Sequence, residues 1–172
     1  MFYGTGKTMD KQLYLLAEFD ENTQAEIKKI EKIIAENGLS GKQTKNIPYH
    51  ITLSSYSVDH EEGLKELMDK INIQRIKLTF SSLGLFGLNV LFLNPDMNSK
   101  LIDLYNCVKE NSINKDDYLA AHVTLLMDEP DNIMKALPRI TREFVKISGE
   151  IKYISLYEFF PARFIKRMEL AV

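Results

Sequence analysis

Apolar residues along the chain alternate between short dense runs and stripes at helical spacing. Gln12 to Phe19 (QLYLLAEF) is a short apolar run and predicts a strand. Asn22 or Thr23 then offers an N-cap, and Ile27, Ile30, Ile33 and Ile34 follow at helical spacing until Gly38 ends the run. The charges Glu26, Lys28, Lys29, Glu31 and Lys32 make the solvated face of that helix. Tyr49 to Tyr56 (YHITLSSY) predicts a second strand. Asp59 caps a second helix bearing Leu64, Leu67, Met68 and Ile71, and Ile76 to Phe80 predicts a third strand.

The order then repeats. Asn89 to Leu93 (NVLFL) predicts a strand, and Asp96 or Asn98 caps a helix carrying Leu101, Leu104, Tyr105 and Val108. Tyr118 to Met127 (YLAAHVTLLM) predicts the next strand. Asp131 caps a short helix with Ile133, Met134 and Leu137, which Pro138 helps to end. Lys146 to Tyr157 and Phe164 to Leu170 close the chain as two strands around Pro161. Each half reads strand, helix, strand, helix, strand. The offset between matching elements is roughly 71 to 76 residues, far beyond a solenoid period, which points to a single duplication.

No segment rich in Gly, Pro or Ser separates the halves. The expectation is therefore one α+β domain over residues 11–172, built of two similar lobes at approximately 11–80 and 88–158 with a closing strand at 163–171. If a pseudo-two-fold axis relates the lobes, their matching strands face a common cleft. Residues 1–10 (MFYGTGKTMD) have no periodicity and are predicted to be disordered. Gly4-Thr5-Gly6-Lys7-Thr8 looks like the end of a phosphate-binding P-loop, but Met1 stands where the motif needs its first Gly, and no strand precedes it.

Composition narrows the function. The 172 residues are 45% apolar and 27% charged, as in an ordinary globular protein. With 22 Lys and Arg against 24 Asp and Glu, the formal charge of −2 provides no global grip on nucleic acid, so any such contact is a local pocket. A single cysteine, Cys107, excludes an intramolecular disulfide and a Cys-based zinc cluster and suits a reducing compartment. No apolar run approaches the roughly 20 residues that span a bilayer, and the N-terminus lacks the apolar stretch of a signal peptide. The expected setting is the cytoplasm, with no membrane partner and no obligate protein partner.

Two of the three histidines occupy matching places in the repeat. Tyr49-His50-Ile51-Thr52-Leu53 lies on the third element of the first half, and Ala121-His122-Val123-Thr124-Leu125 on the third element of the second. Both read apolar, His, apolar, Thr, Leu. On a strand, residues i and i+2 share a face, so each His stands beside its Thr. Cleaving or closing a phosphodiester needs one group to take a proton from the attacking oxygen and another to give a proton to the leaving oxygen. Histidine performs either task near neutral pH. A hydroxyl beside each imidazole can donate to a phosphate oxygen and stabilise developing charge. One His-x-Thr alone is a weak signal, and a strand histidine is usually a satisfied packing residue. The doubling, the matched flanks and the matched place in the repeat distinguish this case. The scheme requires no metal and no cofactor.

At these residues the chain resembles the two-histidine (2H) phosphoesterase superfamily, especially its bacterial 2'-5' RNA ligase-like and cyclic phosphodiesterase members. His50-Ile51-Thr52 and His122-Val123-Thr124 match the two His-x-Thr/Ser motifs that define it. Gly84-Leu85-Phe86 followed by Val90-Leu91-Phe92-Leu93 looks like the segment before the second motif, and Ile154 to Glu158 followed by Pro161 looks like the closing strands. The resemblance implies a bilobal fold of two antiparallel sheets with outer helices around a central cleft. It also implies metal-independent hydrolysis of 2',3'-cyclic or 2'-5' phosphodiesters in nucleotides or RNA ends, or reversible 2'-5' ligation. His50 and His122 are then the catalytic pair, and Thr52 and Thr124 hold the phosphate. Some relatives carry an Arg shortly after the second motif and a Pro immediately before its His. Here Leu126-Met127-Asp128-Glu129 follows and Ala120-Ala121 precedes, which weakens the case for long or structured RNA as substrate.

Other residues have a second reading. Tyr56 and Phe86 are candidates to stack a nucleobase at the cleft rim, against the plainer role of packing. His60, beside Asp59, Glu61 and Glu62, reads as exposed polar surface, and a zinc site from His50, His60 and His122 lacks ligand spacing. Cys107 reads as a buried, inert thiol on an apolar helix face. Arg163, Lys166 and Arg167 either add local positive charge or line a solvated strand face. Two rival functions fit the same cleft: a non-catalytic RNA- or nucleotide-binding protein, and a metal-dependent hydrolase.

Overall fold

A computed structural model describes residues 10–110, 112–113 and 119–172. The P-loop-like stretch, all but the last residue of the segment expected to be disordered, and Tyr118 of the predicted 118–127 strand lie outside the described residues. The chain forms β1 (Gln12–Phe19), α1 (Glu21–Glu36), β2 (His50–Ser57), a 3-10 turn (Val58–His60), α2 (Glu61–Lys70), β3 (Ile76–Phe86), β4 (Val90–Pro95), α3 (Ser99–Val108), β5 (Val123–Met127), α4 (Pro130–Glu143), β6 (Ile147–Phe159) and β7 (Arg163–Glu169).

The strands form one seven-stranded sheet in the order β2-β1-β6-β3-β4-β5, with β7 on β6, and all strand pairs are antiparallel. This is the expected α+β class. The order reads the same from either end when each strand of the first half is exchanged for its counterpart in the second. The last strand of each half crosses over: β3 pairs with β4, and β6 pairs with β1. The two expected sheets are thus joined through β6. One edge of β6 pairs with β1 from Ile151 to Phe159, while the other pairs with β3 from Ile147 to Ile151 and with β7 beyond it.

Odd-numbered β1 residues (Leu13, Leu15, Ala17, Phe19) point into a core closed by Ile27, Ile30 and Ile34 of α1. Leu64 and Met68 of α2, Leu101, Leu104 and Val108 of α3, and Ile133, Ala136 and Ile140 of α4 complete the same core. The opposite face of β1 carries Tyr14, Leu16 and Glu18, and there Leu16 packs with Tyr157 and Phe159 in a small second cluster.

Several boundaries differ from the pattern. Asp20, not Asn22 or Thr23, caps α1: its carboxylate accepts from the Thr23 amide at 2.8 Å, because β1 runs into the helix with no intervening loop. A 3-10 turn precedes α2, and His60 in that turn is exposed. β3 continues to Phe86, since Ser82–Phe86 zip onto β4 in a hairpin turned by Gly87 at φ +55°. β5 begins only at Val123, where its pairing with β4 starts at Leu93. α4 runs through Pro138: the buried stripe Ile133, Ala136, Ile140 spans the proline, and its packing outweighs the missing donor. Cys107 is exposed, one position off the buried stripe of α3.

Ile151 is fully buried and is the residue at which β6 pairs with both β1 and β3, opposite Phe19 and Ile76. Ile151→Ala is expected to lower stability by about 2–5 kcal/mol, the range for truncating a buried Ile. Urea unfolding followed by circular dichroism should show one shifted transition; two separated transitions would mean that the halves fold independently.

Candidate functional site

The outermost strands of the sheet path, β2 and β5, carry the two His-x-Thr segments, and the sheet curls so that these strands meet. Between them opens a cleft of about 710 Å³, lined on its chemical side by His50, Thr52 and Thr124. The wall is Tyr14, Leu16, Phe159 and Phe160, and the loop Gln43–Pro48 forms the remaining side.

The two histidines are held in the same way. His50 Nδ1 lies 2.8 Å from the Pro48 carbonyl oxygen, and His122 Nδ1 lies 2.7 Å from the Ala120 carbonyl oxygen, each two residues upstream. A carbonyl only accepts, so each Nδ1 bears the proton and each Nε2 is left with a lone pair when the ring is neutral. Both rings are pushed below the ordinary histidine pKa, chiefly by burial; their backbone hydrogen bonds oppose that, and the charge of His122 lowers His50 further. The pair is therefore neutral at rest and electrostatically coupled. Thr52 and Thr124 follow each ring at i+2 and are partly exposed on the same side.

Their supports were not legible in the sequence. The Gln24 side chain pairs with both backbone groups of Tyr49, donating to its carbonyl at 2.8 Å and accepting from its amide at 2.9 Å. Gln43 does the same to the free edge of β5, donating to Leu125 at 3.1 Å and accepting from Met127 at 3.1 Å. The Lys42 amide adds a bond to the Met127 carbonyl at 2.6 Å. Thus the loop before β2 fastens the strand bearing Thr124. No spacing rule marks a glutamine in a loop as a clamp.

Tyr56 does not reach the cleft. Strict alternation from His50 would put it there, but β2 bulges where Leu15 and Leu16 pair with Ser54 and Thr52. The skipped Leu53 reverses the parity, so Tyr56 is fully buried and its hydroxyl donates to the Val108 carbonyl. It has no face free for a base. Phe86 is 44% exposed and stands against the second histidine, with ring centroids 4.8 Å apart at 90°. Phe92, on the non-core side of the Leu91-Phe92-Leu93 alternation, lies 5.5 Å from the same ring.

Glu18 is cross-strand from His50, 1% exposed, and paired with Arg167 at 2.6 Å; burial raises its pKa against the pull of that arginine. Arg163 pairs with Glu61 of α2 and Glu158 of β6, and Lys166 with Asp69 of α2, so these C-terminal cations are engaged with carboxylates. The cations lining the cleft are Lys28 and Lys45. Among the described residues, no group of three or more His, Cys, Asp and Glu is placed to hold a metal ion, and no helix is long and apolar enough to cross a membrane.

No family model matches the chain, and no curated protein matches it. Solved structures do. Apo LigT of E. coli superimposes with a TM-score of 0.62 at 19% identity, over 95% of this chain and 99% of LigT. The chain has the fold of LigT. The LigT complex with 3'-AMP gives a TM-score of 0.64 at 20% identity, over 94% and 99% of the two chains. The complex with phosphate gives 0.61 at 18% identity, over 94% and 98%.

Both histidines lie below their ordinary pKa, so the folded state disfavours their charged forms. The resulting stability is fully present above the unfolded value of about 6.5 and is lost as pH falls below it toward the folded values. The urea midpoint is expected to fall between about pH 7 and 5, the range in which histidine titrates, and to fall less in His50→Asn. Equal slopes in the two proteins would contradict the depressed pKa.

Proposed function

We propose that the chain is a 2H-type phosphoesterase that hydrolyses 2',3'-cyclic or 2'-5' phosphodiester bonds of nucleotides or RNA ends without a metal. The observation that carries the reading is the matched pair: two imidazoles, each with Nδ1 tied to the carbonyl two residues upstream, each followed at i+2 by a threonine on the cleft. Two rings with the same tautomer, close enough for the charge of His122 to be felt at His50, suit a base and an acid acting on opposite sides of a phosphate. The LigT structures with 3'-AMP and phosphate support the same ligand class.

The steps follow from the side chains. The phosphate is held by the Thr52 and Thr124 hydroxyls. Its negative charge favours the protonated form of a nearby imidazole, so binding draws a proton onto one ring. The neutral ring takes a proton from water or a ribose hydroxyl at its Nε2, and the imidazolium gives its Nε2 proton to the leaving oxygen. The carbonyls of Pro48 and Ala120 keep Nδ1 protonated throughout and fix the ring planes. A base stacked on the exposed part of Phe86 would lie beside His122.

His50→Ala and His122→Ala should each reduce kcat/KM by about 10²- to 10⁴-fold, and the double variant by less than the product, because acid and base act as a unit. Thr52→Ala and Thr124→Ala should each cost about 2–4 kcal/mol of transition-state stabilisation, as for a lost oxyanion donor. The assay is turnover of 2',3'-cyclic nucleotides, 2'-5' dinucleotides and cyclic-phosphate RNA ends with EDTA present. Full activity in either histidine variant rejects the mechanism.

The kcat/KM profile from about pH 5 to 9 should be bell-shaped, with both limbs belonging to the coupled pair. Its acid limb should lie below the ordinary histidine value, following the lowered pKa of the free protein, and EDTA should leave the rate unchanged. A rate that climbs steadily with pH and collapses in EDTA would favour metal-activated hydroxide instead.

A further inference from the structure

The surroundings of the two histidines differ in one respect. His122 stands beside two phenylalanines that are stacked on each other: Phe86 and Phe92 have centroids 4.3 Å apart at 30°, and both present to the imidazole at steep angles. Phe92 occupies a crowded register position. Across β4 its partners are Gly84 on β3 and Thr124 on β5, so a side chain at 92 has to lean one way or the other. It leans over Gly84. A Cβ placed on that glycine would lie 2.4 Å from the Phe92 Cε2 and Cζ atoms. Gly84 has an ordinary backbone conformation in the middle of a strand, so conformational freedom does not account for a glycine there.

We infer that Gly84, Phe92 and Phe86 form a platform that positions His122, and that Gly84 sets the platform by drawing the Phe92 ring away from Thr124. Gly84 supplies an empty place on β3. The Phe92 ring fills it and is buried there, which leaves the Thr124 side of the strand clear for a phosphate. Phe86 then lies on Phe92 and closes one side of the imidazole against water. The three are positioning residues, acting on the reaction through His122 and Thr124. The inference rests on the reading of His122 as one of the acid–base pair, but its first test does not use the reaction.

That test is an NMR titration of the His122 Cε1 proton in the whole protein. Burial is the largest influence holding this ring below the ordinary histidine pKa. β3 and β4 present uncharged rings to it; the charged groups that act on the ring are the chain's N-terminal amine, which lowers its pKa further, and His50 of β2, which itself feels the charge of His122. Phe86 is partly exposed, so Phe86→Ala should fold, and it lets water reach His122. Its apparent pKa is expected to rise by about half a unit or more as desolvation is relieved. An unchanged or lower value overturns the platform.

The second test uses a 2',3'-cyclic nucleotide as substrate. Gly84→Ala forces the Phe92 ring toward Thr124, and kcat should fall about 10- to 100-fold, as for a displacement of order 1 Å in a catalytic group. Adding Phe92→Leu removes the clash and should recover part of that loss, the sign of coupling between contacting residues. A folded double variant as slow as Gly84→Ala, or a fully active Gly84→Ala, refutes the assignment. If the wild type turns over no phosphodiester, the proposed function fails, while the His122 titration still decides whether the platform exists. If Gly84→Ala does not fold, Phe92→Leu alone and the Phe86→Ala titration remain decisive: with Phe92→Leu the support under Phe86 is lost and the His122 pKa should again rise, and no rise refutes it.

Discussion

Backbone hydrogen bonding along the two edges of β6 is the constraint on which the cleft depends. A strand offers one donor–acceptor row on each side. β6 is long enough to give one row to β1 and to divide the other between β3 and β7. Shortening β6 at Ile151 would separate the sheet carrying His50 from the sheet carrying His122. Neither histidine lies on β6, yet the angle between their strands is fixed by the twist that accumulates across the strands between them. Two halves of matching strand order that exchange their last strands obtain this geometry directly: each half completes the other's sheet.

The elements and the paired motifs were legible because they rest on periodicity and type. The apolar runs of β1, β2 and β4 and the stripes of α1 to α3 are local signals, and burial follows them closely. The two His-x-Thr segments were legible as a matched pair because repetition turned a weak triplet into a specific one. Tyr56 was misplaced by a property that alternation cannot express, one additional residue in a strand, which inverts every side chain beyond it. Pro138 shows the same limit from the other direction. A local breaker was overridden by a tertiary stripe visible only once the sheet beneath it is known.

The clamps were illegible for a different reason. Gln24 and Gln43 act by presenting an amide to backbone groups distant in sequence, and any exposed glutamine has the same local appearance. Gly84 carried a signal that was readable only as part of a resemblance. Its physical content, an empty place for a ring on the neighbouring strand, depends on strand register. Register was also what joined Phe92 to both Gly84 and Thr124.

Gln43 has a further consequence, for behaviour in concentrated solution. An outer strand with an open hydrogen-bonding edge is a template for strands of other molecules. On β5 the Leu125 carbonyl and the Met127 amide are taken by the Gln43 side chain, and the Met127 carbonyl by the Lys42 amide. The glutamine serves as a strand one residue long. It blocks edge-to-edge aggregation at the rim where the cleft must stay open, without adding a strand that would close it.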